Sequence, residues 1–208
     1  MKKKLIMSLV PVAALAIAGL GMSSAVATSG STTYKANLHA VNHSTGHGTL
    51  KLTLKGNVAT ITETVSGLAA TFGGGPYPHV QHIHGGAQGK CAPASADKNG
   101  DGVVSTTEGA PFYGGIVTTL HTTGSTSPSA GTNIKTAPSG GSYTYSRTIT
   151  LSAAAVKAIK GGTAVIVVHG LDPATLSTQA QGEKSDLVPA LPLAATSPAL
   201  CGQLIRKM

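Results

Sequence analysis

Residues 49–65, TLKLTLKGNVATITETV, decide the fold class of this chain. Leucine alternates with polar residues across 49–54, which predicts a strand with one buried face. The Gly56-Asn57 pair is a turn signal, and the Thr-rich, β-branched run 58–65 predicts a second strand, so that the two form a β-hairpin. The hairpin indicates a domain built on antiparallel sheet.

The same signals recur outward from this hairpin. Further strands are predicted at residues 33–42, 79–84, 113–121, 143–151, 163–169 and 200–205. Ser152 in an N-cap position and the Gly161-Gly162 pair frame one short helix, residues 153–160. About eight strands with a single helix favour an all-β antiparallel sandwich or barrel.

The composition agrees with a packed β domain. Of the 208 residues, 41% are hydrophobic and 11% are charged, and Trp is absent, so Val, Leu, Ile and Ala must build the core. The length suits a single domain, residues 28–208. The formal net charge is +8, but the Lys and Arg residues are scattered without interleaved aromatic residues. That distribution argues against a nucleic-acid partner.

Residues 1–27 have the pattern of a cleaved signal peptide. Lysines at 2–4 precede the apolar run 5–22, and the small residues of 23–27 (SSAVA) suit signal peptidase. The alternative is an uncleaved membrane anchor, but Pro11 interrupts the apolar run. We therefore expect a secreted protein, free or associated with the cell wall, that has no membrane partner after cleavage. Loss of the three lysines lowers the formal charge from +8 to +5.

The chain contains two cysteines, Cys91 and Cys201. In an exported protein an even number of cysteines usually forms disulfides, so a bridge is predicted between the middle of the domain and its C-terminal end. The alternative is a pair of free thiols acting as metal ligands. The lack of Cys-x-x-Cys spacing disfavours it.

The sharpest motif is DKNGDGVVSTTE at residues 97–108. It has the spacing of the twelve-residue EF-hand calcium loop, with Gly102 at the sixth position. Prolines on both sides argue against long flanking helices, so we expect an inserted, lone calcium loop. The alternative is an ordinary surface turn rich in Asp, Asn and Gly. The predicted calcium ligands are Asp97, Asn99, Asp101, the carbonyl of Val103, Ser105 and a bidentate Glu108.

Histidines form a second candidate metal site. His82 and His84 are two residues apart in a predicted strand, so they face the same side of a sheet. His169 ends the apolar strand 163–169, where it can join them. Three imidazoles suit copper or zinc. The alternative is a set of hydrogen-bonded histidines at strand ends, and His121 is a fourth ligand candidate whose position fits poorly.

In these features the chain resembles the Cu,Zn superoxide dismutase family. The resemblance implies a Greek-key β-sandwich, a copper site, a disulfide between the two cysteines and dismutation of superoxide, a small anion. It is carried, in this order along the chain, by His82-Ile83-His84, Cys91, Val167-Val168-His169 and Leu200-Cys201-Gly202. The implied copper ligands are His82, His84 and His169, with His121 as the remaining candidate for a bridging ligand.

The chain departs from that family in two places. The calcium loop replaces the stretch after Cys91 in which the family has its bridging histidine and zinc ligands, so no zinc site is expected. The family's arginine that guides superoxide to copper, three residues before the second cysteine, is here Pro198. Guidance of the anion is therefore missing or supplied by other residues.

The chain is also similar to the CHRD (chordin-type) domain, a β-rich extracellular domain with no established catalytic role. This likeness rests on residues 82–85 (HIHG), the helix-Gly-strand stretch 153–169 and residues 202–204 (GQL). Three functions stay open at this stage. They are a dismutase-like copper enzyme, a copper-binding protein without turnover, and a non-catalytic extracellular module stabilised by calcium. The sequence does not indicate the oligomeric state.

Overall fold

A computed structural model describes residues 30–208, so the predicted signal peptide, residues 1–27, lies outside the described residues. The strands are β1 Thr32–Ala40, β2 His47–Lys55, β3 Val58–Ser66, β4 Thr71–Phe72, β5 Gly75–Pro76, β6 Gln81–Gly85, β7 Gly115–Thr119, β8 Tyr143–Thr150, β9 Val165–His169, β10 Pro198–Gln203 and β11 Ile205–Arg206. The α-helices are α1 Thr106–Tyr113, α2 Ala153–Lys160, α3 Thr178–Gly182 and α4 Leu193–Thr196.

Nine strands form one curled antiparallel sheet in the order β7-β6-β9-β10-β1-β2-β3-β8, with β11 also paired to β1. The strand β1 is the corner of this sheet. Residues 32–38 of β1 pair with β2, whereas His39 and Ala40 pair with β10. The corner divides the sheet into two halves, β1-β2-β3-β8 and β10-β9-β6-β7. This mostly β architecture, a curled antiparallel sheet with few short helices, confirms the all-β fold class.

The predicted hairpin is confirmed as β2 and β3, which pair along their full lengths from His47↔Ser66 to Lys55↔Val58. The alternating leucines of β2 are buried and face the opposite half of the sheet. There they join one apolar cluster with Ile83 of β6 and Ile166 of β9. The core therefore lies between the two halves, as the period-two pattern predicts.

The prediction of a single helix is wrong. The helix α2 forms where it was predicted, with the Ser152 side chain accepting a hydrogen bond from the backbone N–H of Ala155. However, α1 follows the calcium loop, and α3 and α4 lie in a region predicted as loop. Five and four residues long, α3 and α4 are too short to show a helical period in the sequence.

The strands β6 and β9 are buried on both faces. Their inner faces contact the core, and part of the outer face forms a second apolar cluster that includes Val165, Val167 and Tyr113. Cys91, in the segment between β6 and α1, forms a disulfide with Cys201 of β10, with their Cα atoms 5.8 Å apart. The predicted disulfide is thus confirmed. By loop closure it stabilises the fold by about 4–5 kcal/mol.

Candidate metal centre

Three histidines meet on the outer face of β6 and β9. His82 pairs with Val167 and His84 pairs with Val165, so His169 lies beyond His82 on the same face. The ring centroids of His82 and His84 are 5.5 Å apart, and that of His169 is 5.1 Å from His82 and 6.1 Å from His84. All three side chains are buried, at 2–3% exposure. The predicted triad is therefore brought together.

One nitrogen of each ring is available for a metal ion. The candidate ligand atoms of the three residues all lie within 4.8 Å of one another. Within residues 30–208, the buried His82 Nδ1, His84 Nε2 and His169 Nε2 have no hydrogen-bond partner. Leaving a buried polar atom without a partner is costly, and three such nitrogens in one place form a cluster that could bind a metal ion.

The opposite nitrogen of each ring is held by a backbone carbonyl. These N–H groups donate hydrogen bonds that fix both the tautomer and the ring orientation, as is usual for metal-binding histidines. The donor-acceptor distances are 3.0 Å from His82 Nε2 to Gly131 O, 2.8 Å from His84 Nδ1 to Gly114 O and 2.6 Å from His169 Nδ1 to Thr196 O.

The surroundings keep the imidazoles neutral. Burial, helped by the nearby His169, lowers the pKa of His84 to about 3, although the hydrogen bond to Gly114 opposes the shift. Burial likewise lowers the pKa of His169 to about 4. Burial and then its two histidine neighbours hold the pKa of His82 well below its usual value. Because a metal binds the unprotonated ring, all three are competent ligands at neutral pH.

Two glycines make the carbonyl contacts possible. Gly114, at the C-terminus of α1, has φ +88° and packs so closely on Gly85 of β6 that a Cβ atom would clash with the Gly85 carbonyl oxygen. A Cβ atom on Gly131 would lie 2.7 Å from the Ile116 side chain and 3.2 Å from His82 Nε2. Both backbones therefore approach the histidines at distances that other residues do not allow.

A cavity of about 290 Å³ lies against the three histidines. Its walls include Val80, Ala110 and Ile116, with Leu187 at the exposed side. Apart from the histidines themselves, every lining residue among those described is uncharged at any pH near neutral. A small molecule can approach the triad, but the wall provides no cationic group to attract an anion.

His121 lies outside the triad. It is buried just after β7, where its Nδ1 atom is 3.1 Å from the carbonyl oxygen of Ser125. Its positive charge, when present, lowers the pKa of His82, but as the weakest of the named causes. Arg147 of β8 donates to its carbonyl oxygen at 2.7 Å. The structure thus places His121 near the site without bringing its ring into the three-nitrogen cluster.

The predicted calcium loop has a different geometry. Asp97 accepts hydrogen bonds from the N–H groups of Gly100 and Gly102 at 2.8 and 2.9 Å. Asp101 accepts from the N–H of Val103, and Glu108 accepts from the N–H of Lys98 at 2.8 Å. Within the described part of the chain, these carboxylates do not form a close three-ligand cluster of the kind seen for the histidines.

A fourth carboxylate joins the loop from Glu183, the residue that follows α3. The side-chain amide of Asn99 donates both to Asp101, at 3.0 Å, and to Glu183, at 3.1 Å. Burial and then the effects of neighbouring Glu183 raise the pKa of Asp101, although hydrogen bonds from Asn99 and Val103 oppose the shift. With Asp97, Glu108 and Asp186, whose carboxylate accepts from the N–H of Thr107 at 2.9 Å, five of the chain's seven acidic residues gather at this loop.

Several contributors could not be predicted from the sequence. The carbonyls of Gly114, Gly131 and Thr196 have no side-chain signal, because every residue has a backbone carbonyl. Glu183 lies 75 residues beyond the last calcium-loop position. The Tyr113 ring, which meets the His84 ring edge-on at 4.7 Å between centroids, falls in a segment predicted as strand.

No protein-family model matches the chain, and no curated protein matches its sequence. The likenesses to the dismutase family and to the CHRD domain therefore depend on the residues named above. In residues 30–208, no helix is both long enough and apolar enough to cross a membrane.

Proposed function

We propose that the chain is a secreted copper-binding protein of the Cu,Zn superoxide dismutase-like class, in which His82, His84 and His169 hold the metal. The observation that carries this proposal is the convergence of three buried, neutral imidazole nitrogens that lack hydrogen-bond partners among the described residues. Hydrogen bonds from the opposite nitrogens to three carbonyls hold the rings in place. An all-nitrogen donor set of this kind suits copper, which binds more tightly than zinc at comparable sites.

The strand order supports a Greek-key sandwich as part of this proposal. The strand β9 lies beside β6, which pairs with β7, and β8 follows β7 in the chain. Across the open edge of the sheet, Arg147 of β8 donates to the carbonyl of His121 just after β7. With β7 and β8 taken as neighbours across this edge, the order β9-β6-β7-β8 matches the 4-1-2-3 pattern of a Greek key and supports the proposal.

Superoxide dismutation is the reaction that we propose for this site. A bound copper ion would supply one-electron transfer, in which one superoxide is oxidised to O₂ and a second, with two protons, is reduced to H₂O₂. The protein's own residues hold three ligand nitrogens, keep them unprotonated and leave one side open to the cavity.

The uncharged cavity favours a second candidate, copper binding without efficient turnover. A cleft lined with positive charge increases the encounter rate with an anion by 10- to 1000-fold. The described wall residues offer no such charge, and Pro198 replaces the guiding arginine. If superoxide reacts here, we expect a second-order rate that depends weakly on ionic strength.

Calcium is the second metal in the proposal. Asp97, Asp101 and Glu108, together with Glu183 just after α3, concentrate negative charge in a protein whose formal net charge is +8. Oxygen ligands at alternating loop positions are what Ca²⁺ prefers. We propose that calcium stabilises the inserted loop. Without copper, the protein would correspond to the alternative, a non-catalytic CHRD-like extracellular module stabilised by calcium.

The test of the copper site is metal analysis after copper loading and dialysis. We expect about one copper ion per chain, and its loss in a His82→Ala/His84→Ala variant. A His39→Ala/His47→Ala variant, which removes two exposed histidines, is the matched control and retains copper. Calcium without copper in the unaltered protein would contradict the copper proposal and leave the CHRD-like alternative. Dismutation is then measured on the copper-loaded protein at two salt concentrations.

Secretion has its own test. After expression in a host with a signal peptidase, we expect the protein outside the cell with an N-terminus at Thr28. Retention in the cell membrane with Met1 intact would contradict cleavage and favour the membrane anchor.

A further inference from the structure

We infer that calcium in the loop 97–108 increases the metal affinity of the histidine site, and that α1 transmits the effect. This inference rests on the proposed function, because it requires one metal at each site. It adds a regulatory connection between them. The helix α1 runs from its first residue, in the loop, to its last residue, at the histidines.

The start of α1 is part of the calcium loop. Ser105 caps the helix by accepting a hydrogen bond from the N–H of Glu108, and Glu108 accepts one from the N–H of Ser105 at 2.9 Å. The other carboxylate oxygen of Glu108 accepts from the N–H of Lys98, near the start of the loop. The proposed bidentate calcium ligand therefore also sets the position of the first turn of α1.

The end of α1 contacts His84. Gly114 follows the last helical residue, and its carbonyl accepts the His84 Nδ1–H at 2.8 Å. The ring of Tyr113, the last residue of the helix, packs edge-on against the His84 ring. A shift of α1 along its axis would therefore move the hydrogen-bond partner that orients His84.

The beginning of α1 also reaches His169. The Thr106 hydroxyl donates to the Thr196 carbonyl at 2.6 Å, and the same carbonyl accepts the His169 Nδ1–H at 2.6 Å. The Tyr113 hydroxyl donates to the Thr106 carbonyl at 2.9 Å, which ties the two ends of the helix together. One short helix thus positions the partners of two of the three proposed ligands.

The stability of α1 depends on the contacts at its two ends. It has eight residues and contains Pro111, and an isolated helix of that length is not stable in water. Without a cation, the loop that starts α1 holds several carboxylates near one another, and Asp101 is buried beside Glu183. A calcium ion would neutralise that repulsion and fix Glu108, and so the first turn of α1.

The two sites do not compete for the same metal. Calcium prefers oxygen ligands and copper prefers imidazole nitrogen. Coupling between binding sites is reciprocal, so copper must increase calcium affinity by the same factor. Loss of a hydrogen-bond partner behind a metal-binding histidine typically costs 10- to 100-fold in affinity, and we expect saturating calcium to tighten copper binding by roughly tenfold or more.

The experiment measures copper affinity by competition with a chelator that does not bind calcium, in the presence and absence of saturating CaCl₂. Calorimetry records calcium binding separately. Hydrogen exchange of the α1 amides in the copper-free protein gives a readout that does not depend on copper. We expect calcium to slow exchange in α1.

Two variants test whether the effect of calcium on copper affinity passes through α1. Glu108→Gln retains a side chain able to cap α1 but removes the charged ligand. Its copper affinity should therefore stay at the calcium-free value whether or not calcium is present. Thr106→Val removes the hydrogen bond to Thr196, so calcium should still bind while its effect on copper affinity shrinks. Thr45→Val is the control, because it removes the same type of bond, from a threonine hydroxyl to the carbonyl of Gly67, at an exposed position on another part of the protein.

The outcomes separate this inference from the proposed function. If both metals bind and copper affinity is the same with and without calcium, the connection is wrong and the two sites still stand. If calorimetry detects no calcium binding, the connection and the calcium proposal both fail, whereas the copper site is unaffected. Failure of copper to bind overturns the copper site and the connection together.

Discussion

The two candidate metal sites lie at opposite ends of α1, but they are built differently. At the histidines, each ligand nitrogen faces the others and has no hydrogen-bond partner among the described residues. In the calcium loop, the carboxylates of Asp97, Asp101 and Glu108 accept hydrogen bonds from the loop's own N–H groups. One site is organised by two adjacent strands of a sheet, and the other by the turns of a single segment.

The chemistry of the ligand atoms explains the difference. A neutral imidazole has one acceptor nitrogen, so a ring that uses it for a hydrogen bond cannot bind a metal through it. A carboxylate has about four lone-pair sites, so it can accept N–H groups and still coordinate calcium. Missing hydrogen-bond partners that converge are therefore an informative sign of a histidine site, unlike the single Nε2 atom of His121 that lacks a partner in the described part of the chain, and they are a much weaker criterion for a calcium loop.

The largest expected effect comes from removing one imidazole. His169→Ala should abolish stoichiometric copper binding, with a loss greater than the roughly 10- to 100-fold that follows removal of a partner behind a ligand. Equilibrium dialysis against copper measures it. His121→Ala is the informative comparison, because His121 is buried nearby but outside the triad, and we expect nearly full copper binding. Equal losses in both variants would mean that His121 is also a ligand.

The buried carboxylate of Glu63, on the inner face of the sheet, is a single group that does not converge with other candidate ligands among the described residues. It tests how burial alone changes a side-chain pKa and the stability of the fold. Burial raises the pKa of Glu63 to about 8 from 4.5, and neither carboxylate oxygen has a hydrogen-bond partner in residues 30–208. The folded state retains this proton while the unfolded state loses it. The contribution of Glu63 to stability should therefore fall by about 3–5 kcal/mol as the pH rises from 4.5 to 8 and level off above 8. The three histidines, whose pKa values folding lowers, act in the opposite direction below pH 6.5, so the fall is measured as the difference between the original protein and a Glu63 variant.

Glu63→Gln should remove that pH dependence and make the protein more stable than the original at pH 8. Urea unfolding at several pH values measures both effects. Lys51→Gln, an exposed change of one charge on the adjacent strand β2, is the control and keeps the original slope. A stability difference between the original protein and Glu63→Gln that stays the same from pH 4.5 to pH 8 would contradict the raised pKa of Glu63.

A smaller effect is expected at the close contact between α1 and β6. Gly114→Ala should destabilise the fold by about 2–4 kcal/mol, because alanine disfavours the φ of +88° and its Cβ would clash with Gly85. Gly115→Ala is the control, since a Cβ atom there has nothing within 4 Å. Urea unfolding compares the two. Equal stability of both variants would contradict the close packing that brings the Gly114 carbonyl to His84.

The smallest effect is expected at the calcium loop. Glu183→Gln removes one of the five carboxylates gathered there but none of those within residues 97–108. Because calcium affinity depends on the number of charged ligands, we expect roughly tenfold weaker calcium binding by calorimetry. Copper affinity without calcium should not change. A loss as large as that of Asp101→Asn would mean that Glu183 is as important as the motif's own ligands.

Much of the fold and the identity of the candidate ligands could be predicted from local sequence patterns. The alternating leucines of β2 predict a buried face because side chains alternate along any strand. The same alternation places His82 and His84 on one face, and the pairing of Cys91 with Cys201 follows from cysteine number and expected compartment. These predictions need only the period of the backbone or a count of residues.

The helix α1 and the cavity could not be predicted in this way. The segment around Tyr113 has apolar residues compatible with a strand, and the capping box of Ser105 and Glu108 also belongs to the calcium motif. Because the same two residues satisfy the calcium motif, they did not indicate the start of a helix. The prediction of strand over 113–121 is thus correct only for β7, which begins at Gly115.

By itself, the sequence determined which side chains are able to bind metals, since residue type and local spacing set the donor atoms and the face they occupy. Only the tertiary structure decided that His169 meets His82 and His84, that carbonyls from three separate segments orient the rings, and that Glu183 joins the loop. The physical reason is that backbone carbonyls are the same in every residue. Their approach to a particular side chain depends on how distant segments pack.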